Sequence, residues 1–257
     1  MSDARDDFYV GYLPSAPAPV ARAVRAAVAA LFLGVACVAV LLATAPSRLD
    51  GRLFEYGTLR EFSGEILLDP QPTLAVTRPG GAGVSRYLLV GAGKHGAREL
   101  VERFANQRVT LRAQLISRGP ETALEVEPGS VTAEGASAAP AEVTSLGVMA
   151  LRGEIVDSKC HFGVMNPGEG KAHKDCAIRC ISGGAPAVLR TRDHAGVTRY
   201  FLLAGPDGRA LSREILEFVA EPVEILGSVE RHDSMYVLRA DPRAIRRLSE
   251  GGAGGES

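Results

Sequence analysis

The stretch Gly83-Val84-Ser85-Arg86-Tyr87-Leu88-Leu89 returns further along the chain as Gly196-Val197-Thr198-Arg199-Tyr200-Phe201-Leu202. Its surroundings return with it, in the same order. Phe62-Ser63-Gly64-Glu65-Ile66 upstream of the first is matched by Leu151-Arg152-Gly153-Glu154-Ile155 upstream of the second. Downstream, Arg98-Glu99-Leu100 and the run from Val109 are matched by Arg213-Glu214-Ile215 and the run from Val223. Such ordered self-similarity predicts an internal duplication. The Ala- and Pro-rich stretch from Ala133 to Ala141 has the composition of a linker. The expected organisation is therefore a first β domain over 58–132, a linker over 133–147 and a second β domain over 148–247. A Gly-rich tail, 248–257, has disordered composition.

Within each copy, runs such as Arg86 to Val90, Val109 to Leu115 and Met235 to Ala240 read as strands bounded by Gly, Pro and Asp. Ala97 to Ala105 and Ser212 to Ala220 instead carry apolar residues at helical spacing. Short strands with one helix after the third predict a small closed β-barrel of the oligonucleotide/oligosaccharide-binding type, so the fold class is mainly β, with two such barrels in tandem. An immunoglobulin-like sandwich needs more strands and leaves the mid-copy helix unexplained.

The copies differ in one place. The segment between Ile155 and Gly196 is more than twice as long as that between Ile66 and Gly83, and the excess, 157–184, holds three of the four cysteines and two of the five histidines. The arrangement is Cys160-His161, then His173, Cys176 and Cys180. If 173–180 is helical, steps of three and four put His173, Cys176 and Cys180 on one face. Cys160 and His161 are adjacent and point apart if extended, so both converge on one site only if the chain turns there. Met165-Asn166-Pro167-Gly168 between the two groups is turn-forming and can fold one onto the other. Because a first copy without the excess is expected to fold, the insertion reads as a functional element carried on a scaffold.

Thiolate and imidazole together suit a metal ion, zinc first, with copper or an iron-sulfur cluster as alternatives. The expected ligands are Cys160, His173, Cys176 and Cys180, with His161 and Met165 as additional candidates, Met165 as a thioether for cuprous copper. The spacing matches neither the common zinc-finger pattern nor ferredoxin runs. Two rival readings use the same cysteines: a thiol-disulfide redox pair at Cys176 and Cys180, and a ligand-binding barrel stapled by a structural disulfide.

At the other end of the chain, Ala26 to Ala45 carries no charge, and about 20 such residues in a helix span the roughly 30 Å core of a bilayer. This predicts a transmembrane anchor over 26–45 behind an N-terminal tail, 1–25. Ala43-Thr44-Ala45 looks like a signal cleavage site, but the apolar run is long for a signal core and Pro46 follows directly. Arginines flank the run on both sides, so orientation is assigned on general grounds: tail inside, domains outside.

With these residues in view, the string from Gly153 through Cys160, Gly163-Val164-Met165, His173, Cys176 and Cys180 to Gly184 resembles a signature of bacterial membrane-anchored proteins of uncharacterised function. The pattern centres on the cysteines and His173. The resemblance covers the insertion and its approach only, and it implies a bacterial inner-membrane setting without naming a reaction. The expected function is a non-catalytic metal-binding protein that acts as an accessory, assembly or electron-transfer component of a membrane redox complex. The net charge of −1 and 5% aromatic content offer no footprint for nucleic acid. Gly91-Ala92-Gly93-Lys94-His95-Gly96 lacks the spacing of a phosphate loop and reads as a plain turn.

Overall fold

The computed structural model describes residues 16–44, 51–81, 83–136 and 142–248. Residues 1–15 of the expected tail, Ala45 of the anchor, 137–141 of the linker and 249–257 of the C-terminal tail lie outside the described residues.

The N-terminal unit is one helix, α1 (Ala18–Thr44). Its Ala, Val and Leu side chains make it long and apolar enough to cross a membrane. It begins eight residues ahead of the uncharged run and takes in Arg22 and Arg25.

Residues from Gly51 onward form a second unit built from two closed five-stranded barrels. The first consists of β2 (Arg60–Leu67), β3 (Thr73–Thr77), β4 (Val84–Val90), β5 (Gln107–Arg118) and β6 (Glu121–Val126). The second consists of β8 (Val143–Asp157), β9 (Ala187–Arg192), β10 (Thr198–Ala204), β11 (Pro222–His232) and β12 (Met235–Arg239). In each barrel the first three strands form an antiparallel meander, the third pairs in parallel with the fifth, and the fourth closes the ring between the fifth and the first. Short strands β1 (Arg52–Phe54), β7 (Thr132–Ala136) and β13 (Ile245–Arg247) add to the edges.

The helical expectation after each third strand is met only by short turns. In the first barrel these are α2 (Arg98–Val101) and a 3-10 turn over Glu102–Phe104. In the second there is a 3-10 run over Arg213–Phe218. Each plugs its barrel with one buried aliphatic side chain, Val101 or Ile215.

Alternation explains the cores. Ile66, Leu74, Leu89, Val109, Leu111 and Leu124 fill the first barrel, and Ile155, Leu189, Phe201, Val223, Ile225 and Leu238 the second. Gly64 and Gly153 take equivalent places in the first strands because the neighbouring strand passes too close for a side chain: a Cβ would lie 2.5 Å from the Ala75 carbonyl oxygen or 2.1 Å from that of Arg190.

One element of the sequence match is out of register. Tyr87 lies opposite Leu74, and the residue opposite the equivalent Leu189 is Phe201, not Tyr200. Arg86 therefore corresponds to Tyr200, and the two Arg-Tyr pairs are offset by one position. In a strand that offset exchanges faces. Arg86 and Tyr200 both point at the other barrel, while Tyr87 and Phe201 pack inward.

The outward faces of both barrels meet. Leu88, Val90 and Ala123 of the first occupy the positions that Leu202, Ala204 and Val237 hold in the second, and all six are buried in one shared cluster with Ile116, Val156 and Phe162. Each apolar side chain buried there stabilises the docked barrels at about 25 cal/mol per Å² removed from water. The contact is reciprocal at its rims. The β11–β12 turn reaches β4, with Asp233 paired to Arg86 at 2.8 Å and Ser234 accepting from the Arg86 N–H. The end of β5 reaches the insertion, where Arg118 contacts His161 and Glu169.

Candidate metal centre

The insertion occupies Ser158 to Pro186, between the first and second strands of the second barrel. Its stem is closed by the Asp157–Ala187 pair and by the Ser158 N–H donating to the Pro186 carbonyl at 3.0 Å. The chain leaves β8 in a π-helical turn over Cys160–Val164, runs through Met165-Asn166-Pro167-Gly168, and returns as α3 (Lys174–Ser182) with His173 at its N-terminal boundary. Cys176 and Cys180 are one helical turn apart and share the face turned toward the π-turn, where Cys160 waits.

Three sulfurs converge. Cys160 Sγ lies 3.9 Å from Cys176 Sγ and 3.7 Å from Cys180 Sγ. All four cysteines of the chain are free thiols, so the disulfide-stapled reading is not what the structure adopts. A tetrahedral zinc ion at about 2.3 Å from each sulfur places the sulfurs about 3.8 Å apart, and the observed separations fit that edge. Cys160 and Cys180 are buried and Cys176 is partly exposed.

A second group shares Cys160. Its sulfur, an Asp157 carboxylate oxygen and a His173 ring nitrogen lie within 4.8 Å of one another, as do the three sulfurs. Asp157, fully buried at the end of β8, accepts from the Cys160 N–H at 2.8 Å through one oxygen and bonds His173 Nε2 at 3.0 Å through the other. His173 thus stands on the Cys160 side, oriented by Asp157, rather than equally near all three sulfurs. An imidazole held by a carboxylate is the common arrangement beside a metal. The described residues hold a Cys/His/Asp cluster positioned for a metal ion.

His161 and Met165 are placed differently from the other candidates. The turn at 160–164 does not swing both neighbours to one side: His161 is fully buried away from the sulfurs, with Nδ1 3.1 Å from the Gly168 carbonyl, Nε2 3.1 Å from the Tyr200 hydroxyl, and Arg118 and Glu169 against the ring. Burial, reinforced by the Arg118 guanidinium, lowers its pKa to about 3, so the ring is neutral. Met165 is 42% exposed. His161 instead joins Phe162 and Tyr200 in holding the insertion to the barrel seam.

Sequence reasoning missed two contributors. Asp157 sits three residues before Cys160, inside a run that reads only as strand. Lys94, in the Gly91–Gly96 turn of the first barrel, places its Nζ 2.8 Å from Cys176 Sγ and 3.8 Å from Cys180 Sγ. That contact raises the Lys94 pKa. The Cys180 contact, burial and Asp157 raise the Cys160 pKa, whereas the Cys160 contact and Lys94 draw that of Cys180 down. Gly96 and Gly183 were the available signal, since a Cβ on either would collide with backbone of the other segment. Compared with known proteins, the chain matches no family model and has no significant similarity to a curated protein.

Proposed function

We propose that this chain is a membrane-anchored metal-binding protein in which Cys160, Cys176 and Cys180 hold one zinc ion, with His173 as the fourth ligand. The observation that carries this reading is the 3.7–3.9 Å spacing of the buried Cys160 sulfur from the sulfurs of Cys180, also buried, and Cys176, partly exposed. Thiolates, imidazole and near-tetrahedral sulfur spacing favour zinc over harder ions. The donors' burial argues for holding the ion rather than presenting it to a substrate. A groove of about 570 Å³ on the second barrel is lined by residues such as Leu151, Arg152, Phe201 and Tyr236 and by none of the donors. The apolar helix supports a single-pass anchor; on this reading the membrane is a bacterial inner membrane, the barrels stand outside it, and the protein serves a membrane redox complex as an accessory component.

The test uses the full chain purified in detergent without oxygen. About one zinc per chain by mass spectrometry, with three thiols becoming reactive only after chelation, is expected. The dithiol reading is favoured by the Cys176 and Cys180 sulfurs lying within 4.8 Å of each other. It predicts a metal-free protein that loses two thiols on mild oxidation, and that outcome would replace the zinc reading.

A further inference from the structure

The first barrel reaches the sulfur centre through one turn, and that turn is fixed from two directions. On one side its backbone abuts the end of α3. The Gly96 N–H donates to the Gly183 carbonyl at 2.8 Å. A Cβ on Gly96 would fall 2.2 Å from the Gly184 oxygen, and one on Gly183 would fall 1.9 Å from the Lys94 oxygen. On the other side stands Lys159, the residue before Cys160. Its buried ammonium donates to the carbonyls of Gly91 and Gly93 at 2.7 Å each and pairs with Glu125. Lys94 lies between these two attachments, and its side chain runs to the sulfurs.

Charge explains what a lysine does there. Three thiolates around a divalent ion leave one net negative charge, and an uncompensated buried charge is costly. One ammonium at hydrogen-bond distance from a thiolate cancels it.

We propose that Lys94 is the positioning residue that completes the centre from outside its ligand set: its ammonium donates a hydrogen bond to the Cys176 thiolate and offsets the negative charge of the sulfur–metal group, so that the two barrels share one centre. This rests on the metal-binding reading above.

The experiment compares the full chain in detergent with Lys94→Met, which keeps the stem and removes donor and charge, and Lys94→Arg, which restores both. Each is loaded with cobalt(II) as a spectroscopic substitute for zinc. Lys94→Met should release the ion to a competing chelator about 10–100-fold more readily, the scale for outer-shell partners. Its sulfur-to-cobalt charge-transfer band should move to lower energy, because a thiolate without its hydrogen bond is more electron-rich. Lys94→Arg should recover both. A Lys94→Met protein that binds cobalt as tightly, with an unshifted band, overturns the proposal and leaves the metal reading intact. A wild-type chain that takes up no cobalt or zinc overturns both.

If Lys94→Met does not fold, amine acylation of the wild type with mass mapping gives the answer. Lys94 should be protected in the loaded protein and labelled after chelation, with exposed Lys171 labelled throughout. Equal labelling of Lys94 in both conditions sinks the proposal.

Discussion

The turn from Gly91 to Gly96 and the turn from Gly205 to Ala210 are the same backbone device in the two barrels, closed by Gly91 N–H to His95 at 2.9 Å and by Gly205 N–H to Arg209 at 2.7 Å. Each also forms an equivalent bridge, Val90 to Gly96 and Ala204 to Ala210. Their residues diverge where their surroundings do. Lys94 stands where the second turn has Gly208, and Gly96 where the second has Ala210. Only the first turn faces the insertion, so only the first needs a bare Cα against Gly184 and a cation against sulfur. The comparison teaches that the loop-poor barrel is not a passive scaffold: what distinguishes its turn from its counterpart is a set of contacts with the other barrel's insertion.

The largest effect concerns the seam on which this comparison depends. Arg86 and Asp233 are 3% and 8% exposed in their side chains. Removing one charge from a buried pair costs about 3–5 kcal/mol, because the other is left unpaired. Asp233→Ala should lower unfolding stability by that amount in denaturant titration. By contrast, Asp193→Ala, which breaks the exposed Arg199–Asp193 pair in the second barrel, should change it far less, because solvent screens that pair. Equal effects would show that the barrels are not held by that rim.

Next comes the turn itself. Gly96→Ala forces a Cβ against backbone that has no flexible end to yield, and overpacking of this kind costs about 1–3 kcal/mol. It should also weaken retention of the proposed zinc ion, measured by chelator competition, because Lys94 moves with the turn. The reciprocal change, Ala210→Gly, removes a methyl where one is accommodated and should cost under about 1 kcal/mol with no effect on the metal.

The smallest effect is on pH dependence. Glu121 begins β6 where Met235 begins β12, and burial raises its pKa to about 7. A carboxyl raised from 4.5 to about 7 binds its proton more tightly folded than unfolded, so its contribution to stability is greatest below pH 4.5 and is lost as pH rises toward and past 7. Relative to wild type, Glu121→Gln should remove a stability difference between pH 5 and pH 8 on the order of 1–2 kcal/mol, read from unfolding midpoints. An unchanged pH profile would place Glu121 in a more solvated setting than its burial implies.

Much of this architecture was legible in the chain. Period-two alternation in runs such as Val109 to Leu115 identified strands, and the paired Gly-Glu-Ile segments marked the first strand of each barrel, because close strand approach at Gly64 and Gly153 leaves no room for a side chain. The Arg-Tyr match misled for a physical reason. A strand's side chains alternate faces, so a one-residue offset preserves the look of the sequence while exchanging inside and outside. Within the insertion, helical spacing identified Cys176 and Cys180, and the turn residues after Met165 accounted for their return to Cys160. Spacing did not show that His173 would be oriented by Asp157, or that His161 would be taken up by Arg118 and Tyr200. Lys94 could not be found that way at all, since its partner Cys176 is far along the chain and the two meet only through barrel docking.

Lys159 gives that docking a mechanical side. Its ammonium is committed to Gly91, Gly93 and Glu125 of one barrel, while its backbone continues directly into Cys160 of the other. A pull that parts the barrels is therefore delivered one peptide bond from Cys160, a sulfur donor in the proposed zinc site.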